Sequence, residues 1–282
     1  MLQYQSINVT KSTPEKGKFI FTDYNENPEK PITVWSYFPA NLTKLTPIIF
    51  VLHGVERNGR EYRNIWANYA KQNNFILLVP EFSKQYYPKS RHYQQGNMFQ
   101  RSGKPIDHSQ WTFTTIERIF DAVKINQNLE TENYIIYGHS AGAQFVHRLV
   151  MFNPKARFET AIAANSGWYT MPNFGIPFPY GLGNSGIEKN TLKQILTKKL
   201  IILLGTKDTN ENDKHLRQTP QANEQGKHRL ARGQFFYETA KKIAMKENIN
   251  FQWQLIEVEG VNHSNLEMSK AAINLILTQN SN

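Results

Sequence analysis

Eight short segments rich in apolar and β-branched residues recur along the chain, at 18–22, 33–38, 48–52, 75–79, 134–137, 160–164, 200–204 and 251–258. From the third onward they are short and largely apolar, the pattern of strands buried on both faces. Between several of them lie segments of helical period. Tyr62, Ile65, Trp66 and Tyr69 share one face, and so do Ile116, Ile119, Phe120 and Val123. Thr114-x-x-Glu117 reads as a capping box opening the second of these helices. Strands alternating with helices predict an α/β architecture, a mostly parallel eight-stranded sheet with helices on both faces. The first two strands leave no room for a helix between them and are expected to pair antiparallel.

At 282 residues and 39% hydrophobic content the chain has material for a full core, so a disordered protein is excluded. Without repeats or linkers, a single domain over 1–282 is expected. No stretch approaches the roughly 20 apolar residues of a membrane span. The polar N-terminus has no secretory h-region, which implies an intracellular protein if native and a periplasmic or secreted one if a signal has been removed. The absence of cysteine removes disulfides, thiolate metal sites and cysteine nucleophiles. Lys and Arg give a net charge of +10 but never run more than two together, so a solvated basic surface is expected rather than a nucleic-acid site.

The fifth strand runs directly into Gly138-His139-Ser140-Ala141-Gly142, and an apolar helical pattern follows with Phe145, Val146, Leu149 and Val150. Strand, G-x-S-x-G, helix is the order of a nucleophile elbow. The turn is so tight that side chains two before and two after the serine would meet backbone, hence glycine at both places. Ser140 is then held outward at a helix N-terminus, whose partial positive charge favours a developing oxyanion.

Serine needs a base, and in proteins with this elbow the base follows the last strand. There stands His263, in Glu259-Gly260-Val261-Asn262-His263; His53 is read as structural and His139 as pointing its ring away. The orienting carboxylate should follow the preceding strand, making Asp208 the first candidate and Asp213 the fallback. For the oxyanion, two backbone donors are expected: Ala141 after the nucleophile, and Val55 in the loop after the third strand.

With LHGVERNG, YGHSAGAQ, GTKDTNEND and VNHS in view, the chain resembles bacterial α/β hydrolases of the poly(3-hydroxybutyrate) depolymerase-like or feruloyl-esterase-like kind, from about Val34 to the last helix. AANSGWYTMP and FPYGLG look like that group's substrate loop, and LRQTPQANEQGKHRLARGQFFYE like its insertion after the acid. The resemblance implies the α/β-hydrolase fold, cofactor-free serine esterase chemistry, and Ser140, Asp208 and His263 as nucleophile, acid and base. It also gives Val55 and Ala141 the oxyanion roles, and a small-molecule or oligomeric ester as substrate.

Two irregular stretches, 168–198 and 208–233, are expected to project from the carboxyl edge of the sheet, where ligands bind in open α/β folds. Trp111, Asn165, Ser166, Trp168, Tyr169 and Tyr180 are candidates for lining an apolar cleft. Arg217, His228, Arg229 and Arg232 are candidates for recognising an anionic group. A metal site is not expected: H-E-x-x-H is absent, and Asp208-x-Asn210-x-Asn212 begins like a calcium loop but has Asp213 and Thr219 where glycine and glutamate belong. The rival readings are a serine peptidase on the same fold and a non-catalytic basic binding protein.

Overall fold

The computed structural model describes residues 16–23 and 25–279. The N-terminal segment read above for a secretory signal lies largely outside the described residues. One sheet contains eight strands in the order β1-β2-β4-β3-β5-β6-β7-β8. They are β1 (Lys16–Asp23), β2 (Asn27–Tyr37), β3 (Ile48–Leu52), β4 (Ile76–Glu81), β5 (Tyr134–His139), β6 (Phe158–Ala164), β7 (Leu200–Gly205) and β8 (Trp253–Val258). β1 and β2 form an antiparallel hairpin, and β2 also runs antiparallel to β4. The pairs β3–β4, β6–β7 and β7–β8 are parallel.

The chain divides into two compact units, Met1–Ile136 with Ala156–Glu159, and Tyr137–Lys155 with Thr160–Asn282. The first carries helices α1 (Gly59–Gln72) and α2 (Thr112–Gln127). α2 buries all four residues of its expected apolar face, Ile116, Ile119, Phe120 and Val123. The expected capping box is not formed. α2 begins two residues earlier, Thr114 Oγ1 donates to the His108 carbonyl, and the Glu117 carboxylate is taken by Tyr134 and Arg157. A buried tyrosine hydroxyl and an arginine outcompete one exposed backbone amide for that carboxylate.

The second unit carries α3 (Ala141–Phe152), α4 (Lys189–Leu196), the short α5 (Pro220–Asn223), α6 (Arg229–Lys246) and α7 (Asn265–Gln279). β7 is buried at every position, whereas β8, at the edge, is buried only at Trp253 and exposes its Gln254 and Glu257. Ala164 of β6 pairs with Leu203 of β7, and Gly205 of β7 with Val258 of β8. The strands therefore end level, and the segments after them leave the sheet at one edge. Of the stretch expected to be irregular at 168–198, the first part is so, as its Pro, Gly and aromatic content requires, but Lys189–Leu196 forms α4, whose Leu192, Ile195 and Leu196 are buried. The loop expected at 208–233 ends earlier, because 229–233 is the first turn of α6. His228 caps that helix by accepting from the Ala231 amide, and Arg229 and Arg232 are buried.

Candidate active site

The turn between β5 and α3 is set by close approach. A Cβ on Gly138 would lie 2.3 Å from the Gly142 carbonyl carbon, so no larger residue fits there. Ser140 sits at φ 57°, ψ −113°, a conformation L-residues seldom adopt. It is pinned by its own amide, which donates to the Ala164 carbonyl at 3.0 Å, and by its carbonyl, which accepts from the Gln144 amide at 3.1 Å. Although Ser140 is the N-cap of α3, its hydroxyl caps nothing. It lies 3.0 Å from His263 Nε2 instead.

His263 Nδ1 is 2.6 Å from Asp208 Oδ2. A carboxylate only accepts, so the neutral ring carries its proton on Nδ1 and offers the Nε2 lone pair to the Ser140 hydroxyl. The structure thus brings together the three side chains that sequence order singled out. The approach of two loops makes this possible. The Lys207 amide donates to the Val261 carbonyl at 2.9 Å and the Thr206 amide to the Val258 carbonyl at 3.1 Å. Gly205 permits that crossing, since a Cβ there would meet the Val261 carbonyl oxygen at 2.4 Å.

Asp208 is buried and touches a cation on its other side. Arg229 Nη1 lies 3.4 Å from Asp208 Oδ1, and Arg229 Nη2 lies 2.9 Å from Asp213 Oδ1. Burial opposes ionisation of Asp213, but hydrogen bonds from Arg229 and the His215 amide, together with the Arg229 charge, hold its carboxyl below the usual range. The fallback acid therefore shares an arginine with Asp208.

His139 does not point away from the site. Its ring centroid is 4.6 Å from that of His263. Burial above all, then the charges of His263 and Arg229, hold its pKa well below the ordinary value, so a neutral ring packs against His263. His53 lies in the first unit, buried. Its Nε2 accepts from the Phe82 amide, Nδ1 faces the Gly54 carbonyl, and burial lowers its pKa to about 3.

Of the two expected oxyanion donors, Ala141 heads α3, and its amide finds no acceptor among the described residues. Val55 lies in the first unit, after β3, and its amide likewise has no acceptor among the described residues. The neighbouring Gly54 amide donates to Tyr62.

Trp111 is in the first unit, at the N-cap position of α2 without a side-chain cap bond, and donates from Nε1 to the Ile106 carbonyl. The other candidates lie in the second unit and are mostly engaged. Asn165, at φ 49°, donates from Nδ2 to the Asn262 carbonyl at 3.0 Å and accepts the Gly205 amide on Oδ1 at 2.8 Å. It thereby braces the turn before Asp208 against the residue before His263. Ser166 donates to the Trp168 carbonyl. Tyr169 is buried and stacks on Phe236 at 4.5 Å, while its backbone amide and carbonyl are both bound by the Gln225 side chain. Trp168 is buried between Arg148, at 4.1 Å, and the half-buried Tyr180, at 4.7 Å.

The basic candidates separate clearly. Arg232 donates to the Gly226 and Gly167 carbonyls and to Asn223, Arg229 holds the two aspartates, and His228 caps α6. Only Arg217 is exposed. Sequence reasoning passed over Gln225, which locks the two irregular loops together, and Arg148. The signal for Arg148 was present in the spacing: Ser140, Gln144 and Arg148 repeat at four-residue intervals along one helix face. Among the described residues, no group of three or more His, Asp or Glu side chains is placed to hold a metal ion. No described helix is long and apolar enough to cross a membrane.

No family model and no curated protein sequence matches the chain. Solved structures do. Poly(aspartic acid) hydrolase-1 from Sphingomonas sp. KT-1 is 44% identical, with a TM-score of 0.91, over 94% of this chain and 100% of its own. The poly(3-hydroxybutyrate) depolymerase LpqC from Bordetella parapertussis is 33% identical, with a TM-score of 0.90, over 95% of this chain and 90% of its own. An S-formylglutathione hydrolase from Agrobacterium tumefaciens, 14% identical with a TM-score of 0.59 over 96% and 97%, shares the fold. With two relatives above 30% identity over nearly its whole length, the chain belongs to the α/β-hydrolase superfamily, beside the poly(aspartic acid) hydrolase and poly(3-hydroxybutyrate) depolymerase that it resembles.

Proposed function

We propose that the protein is a serine hydrolase that cleaves carboxylic esters through an acyl-enzyme. The observation supporting this is the continuous contact from Ser140 Oγ through the His263 ring to Asp208. Ser140 Oγ attacks the ester carbonyl while His263 Nε2 takes its proton. The tetrahedral oxyanion is held by the amide of Ala141 at the N-terminus of α3. Collapse expels the alcohol, which receives the proton from His263, and leaves an acyl group on Ser140. Water then attacks, again with His263 as base, and the acid is released. Asp208 holds the Nδ1–H tautomer and stabilises the imidazolium formed twice in the cycle.

A second reading, hydrolysis of an amide by the same steps, is favoured by the 44% identical relative, whose named polymer is a polyamide. The test is a panel of short-chain, long-chain and hydroxycinnamoyl esters beside poly(aspartic acid) and a peptide, assayed with the parent protein and Ser140→Ala. Ester cleavage abolished by the substitution supports the first reading. Cleavage of amides alone replaces it with the second, and equal turnover by both proteins eliminates both.

A further inference from the structure

Two guanidinium groups share one indole. Arg148 Cζ lies 4.1 Å from the Trp168 ring centroid and Arg217 Cζ 5.2 Å from it. Arg148 is buried; its Nε donates to Thr170 Oγ1 at 2.8 Å and its Nη1 to the Gln144 carbonyl at 3.1 Å. Arg217 is exposed and held at one point. Its Nε donates to Tyr180 OH at 2.6 Å, and that hydroxyl is 2.7 Å from Thr219 Oγ1. The guanidinium also lies 5.6 Å from the Tyr180 ring. Among the described residues nothing accepts a hydrogen bond from Arg217 Nη1 or Nη2. An arginine oriented through Nε and steadied by aromatic rings leaves its two terminal nitrogens as a planar fork, the geometry that matches a carboxylate.

The fork belongs to the same unit as Ser140. Ser140, Gln144 and Arg148 follow one face of α3, which sets Arg148 roughly 12 Å along the helix from the nucleophile. A single short acyl group does not span that distance; an oligomer does. Burial first, and then repulsion by the charge of Arg217, lower the Arg148 pKa to about 9. An anion on the fork offsets that repulsion. His228, Arg229 and Arg232 are already engaged within the fold, which leaves Arg217 to make this contact.

We infer that Arg217, seated on Trp168 and Tyr180, binds a carboxylate carried by the substrate away from the scissile bond, and so selects polyanionic over neutral oligomers for the Ser140 centre. This rests on the serine-hydrolase reading above.

The test uses two polyester probes of equal length, β-linked oligomers of malic acid and of 3-hydroxybutyric acid, which share an ester backbone and differ by a carboxylate against a methyl group. Calorimetric titration of Ser140→Ala protein measures their binding without turnover. The malic acid oligomer is expected to bind about tenfold or more tightly than the neutral one, the scale of one charge-assisted hydrogen-bond pair. Raising the salt concentration should reduce the advantage. Adding Arg217→Gln should erase the difference, and Arg217→Lys should restore only part of it. In Ser140 protein the ratio of kcat/KM for the two oligomers should follow the same order. The inference is overturned if the two oligomers bind equally, or if the preference survives Arg217→Gln. A preference that tracks Arg217 in a protein without hydrolytic activity would sink the catalytic reading and leave the subsite standing. Hydrolysis that needs Ser140 but ignores Arg217 would do the reverse.

Discussion

Arg229 Nη1 lies 3.4 Å from Asp208 Oδ1, with both side chains only 2% exposed. The same guanidinium reaches Asp213, so one buried cation separates and neutralises two carboxylates behind His263. Arg229→Met leaves those carboxylates without it. Removing one partner of a buried ionic cluster costs about 3–5 kcal/mol, and urea denaturation should show a loss of that order. Turnover should fall as well, because Asp208 loses the contact on the side opposite His263. Asp213 adds a pH signature. Its folded pKa is depressed, so its contribution is full above the ordinary value near 3.8 and is lost as the pH falls through the folded value. That acid-labile part should be absent from Arg229→Met. Unchanged stability would mean the cluster is inert.

Two buried histidines make folding pH-sensitive in a second window. His53 and His147 each accept a backbone amide on Nε2, from Phe82 and Thr170, and face a carbonyl through Nδ1. Burial holds His53 at about 3 and His147 well below its ordinary value. Both are neutral when folded and protonate readily when unfolded. The stability they contribute is therefore full above pH 6.5 and is lost progressively as the pH falls toward the folded values, by up to about 1.4 kcal/mol per pH unit for each group. Thermal unfolding at pH 7.5, 6, 5 and 4.5 should show Tm falling across this range. His147→Gln should flatten the slope.

Gly138→Ala places a methyl group 2.3 Å from the Gly142 carbonyl carbon and oxygen and 2.8 Å from the Ala143 nitrogen. None of these is a flexible side chain, so the first turn of α3 must move. Overpacking of this kind costs roughly 1–3 kcal/mol, and an ångström of displacement at Ser140 costs about 10²-fold in rate. Comparing Tm and kcat of this variant with the parent checks both effects. Parent-like turnover would show that the elbow is looser than its geometry implies.

Much of the fold was legible in the sequence because burial dictates it. Strands such as β7, apolar at nearly every position and covered on both faces, announce themselves, and the strand–elbow–helix order located Ser140. The chain order of strand ends then singled out Asp208 and His263. What escaped depends on competition between partners far apart in sequence. Glu117 fits a capping box locally, yet Tyr134 and Arg157 take its carboxylate. Arg229 and Arg232 read as loop cations because nothing nearby in sequence shows that they face Asp208 and Gly167. Nor does anything near His139 in sequence show that its ring packs 4.6 Å from that of His263, a residue 124 positions further on.

Ser140 itself stores strain. At φ 57°, ψ −113° a residue with a Cβ is disfavoured by on the order of 1–3 kcal/mol, whereas glycine is not. Ser140→Gly and Ser140→Ala should both lose about 10⁴-fold or more in turnover. The glycine variant should be the more thermostable of the two, despite glycine's greater chain entropy when unfolded. A lower Tm for Ser140→Gly would contradict a strained elbow.

The central claim is that one hydroxyl, activated by the His263 imidazole, forms the covalent intermediate. A fluorophosphonate that reacts only with activated serines, followed by intact mass and peptide mapping, tests it most directly. The account predicts one adduct per chain, on the peptide containing Ser140, together with complete loss of hydrolysis. His263→Ala protein should label far more slowly, and Ser140→Ala protein should not label at all. Hydrolysis that persists after full labelling, or an adduct mapped to another residue, would contradict it.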